Sequence, residues 1–84
     1  MNEEEARTAI LAVLGTIAPE ADLSELEPDV ELRDQLDIDS MDFLNFAIGL
    51  EERTGVAIPE DDYALVATLE DCTAYLVEHA SRTG

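Results

Sequence analysis

Leu36-Asp37-Ile38-Asp39-Ser40-Met41-Asp42-Phe43-Leu44 is the stretch that decides how this chain reads. An acidic, extended lead-in meets a serine, and an apolar run of helical period continues to Leu50. Ser40 stands where a helix N-cap is expected. Its oxygen can accept from an amide two or three residues on, and the position keeps the hydroxyl reachable. Each following residue turns by about 100° round the helix. Phe43, Phe46, Ala47 and Leu50 fall on one arc, and Met41, Leu44 and Ile48 on a second beside it. Asn45, Gly49, Asp42, Glu52 and Arg53 take the opposite side. The joint apolar arc is roughly 220° wide, where a surface helix needs about 100° or somewhat more. Either this helix is buried centrally in a small bundle, or one arc faces the core and the other a partner. The adjacency of Met41, Leu44 and Ile48 to Ser40 favours the second.

Outward from that helix the chain divides readily. Residues 3–18 form the first predicted helix, with Ala6, Ile10, Val13, Leu14 and Ile17 at helical spacing and Glu3, Glu4 and Glu5 at its positive end. Pro19 ends it. Residues 19–39 make a connection long enough to expect a functional role, within which Leu32 and Leu36 are spaced for a short turn under the bundle. The central helix covers 40–54 and stops at Gly55, suited to a left-handed cap. Pro59 opens a short helix over 59–65. Thr68-Leu69-Glu70-Asp71 resembles a capping box and starts a last helix over 68–80, with Leu69, Cys72, Tyr75 and Leu76 inward and Ser81 to Gly84 as a frayed tail. Val56-Ala57-Ile58 is too short to anchor a sheet. The expectation is one all-α domain over residues 1–84, a four-helix bundle of three main helices and one short one with a long first loop.

Composition sets bounds on the function. The 84 residues hold 21 acidic side chains against four arginines and no lysine, for a net charge of −17. Nucleic acid is excluded as a ligand on this count, because neutralising phosphates requires cations, and anionic membrane surfaces are disfavoured. The charge favours a basic protein partner and long-range steering toward it. It also strains the fold, so added salt should stabilise the chain. At 46% hydrophobic residues the chain is too apolar for a disordered acidic tail. Cys72 is the only cysteine, which excludes an internal disulfide and reads as a buried core thiol. The acidic N-terminus has no apolar signal region, and no run approaches transmembrane length; a cytoplasmic location is expected.

Several chemistries fail on spacing. Counted from Asp37, an EF-hand loop would put Met41 at its fifth position, Asp42 where glycine is needed and Ile48 where a bidentate glutamate is needed. Divalent cations would then act on these carboxylates only as nonspecific screening, and no metal site is expected. A serine hydrolase needs a base held by a third group, but the single histidine, His79, reads as a surface cation near a helix C-terminus. No catalytic residue is assigned. Ser40 reads as a group on which chemistry is done.

At this point the residues carry a resemblance. Leu36-Asp37-Ile38-Asp39-Ser40-Met41-Asp42 resembles the phosphopantetheine attachment motif of acyl carrier proteins, whose core is Asp-Ser-Leu. The likeness extends over Leu50-Glu51-Glu52, Ile58-Pro59-Glu60-Asp61 and the helix from Thr68 to Leu76. It implies a four-helix bundle and a 4′-phosphopantetheine arm attached to Ser40 by a phosphopantetheinyl transferase. It also implies that Asp39 is read by that transferase. Met41, Leu44 and Ile48 match the family's apolar contact positions. Asp42, Glu51, Glu52 and Glu60 match acidic positions that meet basic patches on enzymes loading and transferring acyl groups. Two departures stand out: Asp37 replaces a usual glycine, where Asp tolerates left-handed backbone, and Met41 replaces leucine with similar volume. Asn45 stands where many relatives have glutamate, and the bulk of Phe43 and Phe46 predicts a small interior acyl pocket.

The resemblance implies a carrier that presents thioesters to partners in fatty-acid or related, polyketide-like or specialised biosynthesis; Met1 and the short tail after Ala80 suggest a free-standing one, expected to be a monomer. Asp39 and Asp42 oppose a phosphate on Ser40 and would point it to solvent. The alternative is an unmodified acidic helical interaction module.

Overall fold

The computed structural model describes the backbone of residues 1–83 and the side chains of residues 1–80. Three 15-residue helices dominate: α1 (Glu3–Ile17), α3 (Ser40–Thr54) and α4 (Leu69–Thr83). Between them lie a 3-10 turn (Leu23–Glu25), the five-residue α2 (Leu32–Leu36) and a 3-10 helix (Glu60–Val66). The fold is an all-α bundle, and no strand is present among the described residues. α1 packs on both α3 and α4, and the 3-10 helix closes against α4 as the fourth member.

The starts of α1 and α4 have local causes. Asn2 caps α1 through a full capping box with Glu5: the Glu5 amide donates to Asn2 Oδ1 at 2.8 Å, and the Asn2 amide donates to Glu5 Oε1 at 3.1 Å. Thr68 Oγ1 accepts from the Asp71 amide at 3.0 Å and so caps α4. Pro59 is not the first helical residue. With ψ at 154° it is extended and lies one position before the helix, which takes 3-10 rather than α form. Tyr63 and Val66, three apart, turn inward together, which suits a period of three residues per turn. α4 continues past Ala80 to Thr83, and of the expected frayed tail only Gly84 lies outside the described residues.

The core is drawn from every helix. Ile10, Leu14, Leu32, Phe46, Leu50, Val66, Cys72 and Leu76 are all fully buried. Gly49, assigned to the polar side of α3 by the wheel, faces α1 instead. A Cβ built there would meet Val13 Cγ1 at 2.8 Å, so its missing side chain permits the close approach of the two helices.

The long loop is tied down at several points. Gln35 Oε1 accepts from the Glu27 amide at 3.0 Å, and its Nε2 donates to the carbonyls of Glu27 (2.9 Å) and Val30 (3.0 Å). The Leu32 amide donates to the Ala67 carbonyl at 2.8 Å, and the Glu70 amide to the Pro28 carbonyl at 3.0 Å. The first three brace the loop from within, and the last two tie it to the segment that opens α4.

Candidate functional site

The site begins with a left-handed residue. α2 ends at Asp37, with φ 53° and ψ 47°, the only non-glycine residue with positive φ among the described residues. Only Ile38 and Asp39 stand between that turn and the first residue of α3. Asp is among the few residues that enter this region without severe strain.

The N-cap of α3 is Asp39, one residue earlier than the sequence reading placed it. Asp39 Oδ1 accepts from the Asp42 amide at 2.9 Å, while the Asp39 amide donates to Asp42 Oδ2 at 3.5 Å. Asp39 has the extended backbone that a cap requires (φ −93°, ψ −177°), and its carboxylate also meets the positive end of the helix. Ser40 is therefore the first helical residue. Its hydroxyl, released from capping, lies exposed at the surface. The two arcs of α3 separate as follows. Phe43, Phe46, Ala47 and Leu50 are buried, whereas Met41, Leu44 and Ile48 are 66%, 40% and 47% exposed. Asp39, Glu51, Glu52 and Glu60 are exposed, and Asp42 is half-buried.

Ser40 opens on a shallow depression of about 350 Å³, lined by Arg33, Met41, Phe43, Leu44, Glu60 and Tyr63. A neighbouring hollow of about 480 Å³ shares Arg33, Phe43 and Tyr63 and extends over Ile38, Ala64 and Ala67. Phe43 meets Tyr63 edge-on, with ring centroids 5.4 Å apart, and Phe46 at 5.5 Å. The site thus joins α2, α3 and the 3-10 helix. It brings Ser40, Met41, Leu44 and Glu60 to one depression. Ile48, Asp39, Asp42, Glu51 and Glu52 do not line it.

Three residues at this end of the bundle escaped the sequence reading. Arg33 and Tyr63 line the depression beside Ser40, and Leu65 is 55% exposed on the 3-10 helix. The rarity of arginine in the chain was a usable signal for Arg33. The other two depend on how the 3-10 helix packs beside α3, which no local pattern shows.

Other reactive groups stand apart. Cys72 is fully buried, and burial pushes its thiol up to about 12, so it offers no thiolate near neutral pH. His79 is half-buried and stacks on Tyr75 with centroids 3.9 Å apart, rather than standing out from the surface. No helix among the described residues is long and apolar enough to cross a membrane.

Comparison with known proteins gives a consistent result. The family model described as "Phosphopantetheine attachment site" matches residues 5–76. An acyl carrier protein of Rubrobacter xylanophilus is 36% identical over 58 residues, covering 69% of this chain and 72% of the relative. One from Rhodococcus erythropolis is 37% identical over 70 residues, covering 80% and 77%. A protein of Mycobacterium tuberculosis named meromycolate extension acyl carrier protein is 40% identical over 53 residues, 63% of this chain and 46% of its own length.

Proposed function

Because this chain belongs to the acyl carrier protein family, a family of carriers rather than catalysts with covalently attached 4′-phosphopantetheine, we propose that Ser40 is the residue bearing the arm. The observation that carries this reading is the exposed Ser40 hydroxyl at the first position of α3, freed from capping by Asp39. The local chemistry suits the group. Ser40 Oγ can become the bridging oxygen of a phosphodiester, and the depression beside it supplies a cation and aromatic surface. The arm brings a terminal thiol that holds acyl groups as thioesters. No thiol of the chain substitutes for it, since Cys72 is sealed in the core.

In this reading the remaining residues act on partners. The 21 acidic side chains draw basic docking surfaces toward the chain, and Asp39, Asp42, Glu51, Glu52 and Glu60 meet them around the anchor. Met41, Leu44 and Ile48 supply apolar contact that is small enough for rapid release. A phosphopantetheinyl transferase reads Asp39 and loads Ser40, and acyl-loading and acyl-transferring enzymes follow. The carrier works as a monomer in the cytoplasm, as one domain, in fatty-acid or related biosynthesis. The names of the mycobacterial relatives favour acyl-chain extension as the process served. With Phe43 and Phe46 filling the interior, the cargo lies along the surface hollow; a long-chain acyl form with its chain inside the core beside Phe46 would overturn that part.

The test is intact mass after incubation with coenzyme A and a broad-specificity transferase. The wild-type chain gains one phosphopantetheine, and Ser40→Ala gains none. An unchanged wild-type mass replaces this reading with an unmodified acidic interaction module.

A further inference from the structure

The depression that holds Ser40 contains one cation, Arg33, in a chain of net charge −17. Arg33 borders the neighbouring hollow as well, and Phe43 and Tyr63 wall both spaces. Glu31, Asp34 and Asp37 line the larger hollow and Glu60 the smaller, yet the Arg33 guanidinium forms no ion pair or hydrogen bond with any described residue. An exposed guanidinium with carboxylates on several sides and no fixed partner can turn toward a new anion at little cost.

The start of α3 supplies the need for one. The helix N-terminus is already occupied by an anion, because Asp39 caps it and Asp42 completes the box. A phosphodiester on Ser40 would receive little from the helix dipole and would face two carboxylates. Arg33 is the side chain of the depression able to offset that repulsion. Its planar fork also suits two phosphate oxygens at once.

We propose that Arg33 is the counter-ion of the phosphodiester on Ser40, and that it lays the first part of the arm across the Phe43–Tyr63 rings. This rests on Ser40 being the anchor, and it revises the expectation that the phosphate points to solvent. The pair is exposed, so the hold is weak and sensitive to salt. The arm alternates between the depression and solvent, and a basic partner that attracts the phosphate or the surrounding carboxylates shifts it outward.

The experiment compares apo protein with holo protein made from coenzyme A and a broad-specificity transferase, with intact mass confirming one arm and Ser40→Ala remaining unmodified. Arginine Nε–Hε resonances and the phosphodiester 31P resonance are recorded at low and high salt. On loading, the Arg33 Hε signal should shift and its solvent exchange slow severalfold, with Arg7 and Arg53 unmoved and the change reversed by high salt. Holo Arg33→Gln, with unchanged circular dichroism, should show a displaced 31P signal. A loaded chain whose Arg33 signal matches apo protein overturns the proposal, whatever the variant does. A wild-type chain that gains no mass overturns the Ser40 reading first, and the mass spectrum tells the two failures apart.

Discussion

Tyr75 Oη donates to Asp62 Oδ2 at 2.7 Å and so fastens α4 to the 3-10 helix that faces Ser40. Burial, then the hydrogen bond and the negative charge of Asp62, push the phenol up to about 12 from an ordinary 10.0. Below pH 10 the phenol is neutral in folded and unfolded chains alike, and its contribution is fully present. Between 10 and about 12 the unfolded chain loses the proton while the folded chain keeps it, so stability falls as pH rises. Cys72 acts with the same sign from 9.0 upward. The melting temperature should therefore decline above pH 9, and Tyr75→Phe should lessen the slope between pH 10 and 12 while losing about 1 kcal/mol near neutrality. Parallel alkaline slopes for the two proteins would contradict the assignment.

Gly49→Ala tests the contact between α1 and α3. Alanine gains about 1 kcal/mol of helix propensity over glycine, but the new Cβ would stand 2.8 Å from Val13 Cγ1 and force the helices to shift. Overpacking of this kind costs about 1–3 kcal/mol. A net loss of about 1 kcal/mol is expected, read as a melting temperature lower by about 4–8 °C for a domain of this size. A variant that melts higher would mean that the helices separate without cost. Gly49→Ala in a Val13→Ala background should recover part of the loss relative to Val13→Ala alone.

Gln35 should be more sensitive to a change of charge than to truncation. Gln35→Ala leaves one amide and two carbonyls of the loop without their partner, costing about 1–2 kcal/mol where water cannot replace it. Gln35→Glu keeps the shape but turns an acceptor oxygen toward the carbonyls of Glu27 and Val30. It should be the less stable of the two at pH 7, in denaturant titration. Protonation restores a donor, so the gap between them should narrow toward pH 4.

Asp39 combines two roles that one pair of variants separates. Asp39→Ala removes the α3 cap and should cost about 1 kcal/mol. Asp39→Asn can keep the cap and should melt close to the wild type. If the transferase reads the carboxylate itself, both variants should slow arm attachment in a mass-spectrometric time course. Attachment to Asp39→Asn at the wild-type rate would leave Asp39 a purely structural part.

How much of this was legible beforehand depends on the range of the interactions. The apolar spacing of α1, α3 and α4 is a local signal, and the buried positions Ile10, Leu14, Phe46, Leu50, Cys72 and Leu76 follow from it. The cap of α3 was missed by one residue because Asp39 and Ser40 are both good caps, and only the backbone geometry separates them. Gly49 was put on the wrong side because a glycine has no hydropathy to report, while its role is steric and depends on Val13 of another helix. Arg33 and Tyr63 reach Ser40 only through folding, from segments on either side of it in the chain. The serine proposed as the anchor stands out by its own neighbours in the sequence; the wall around it does not.

The bonds from Leu32 to Ala67 and from Glu70 to Pro28 join the segment before Ser40 to the opposite half of the chain. If Ser40 bears the arm as proposed, its mount is braced by the far half of the chain, and reach falls to the flexible prosthesis. Changes around Ala67 and Glu70 would loosen that mount from a distance, so a fault well along the sequence would surface as poor delivery of cargo.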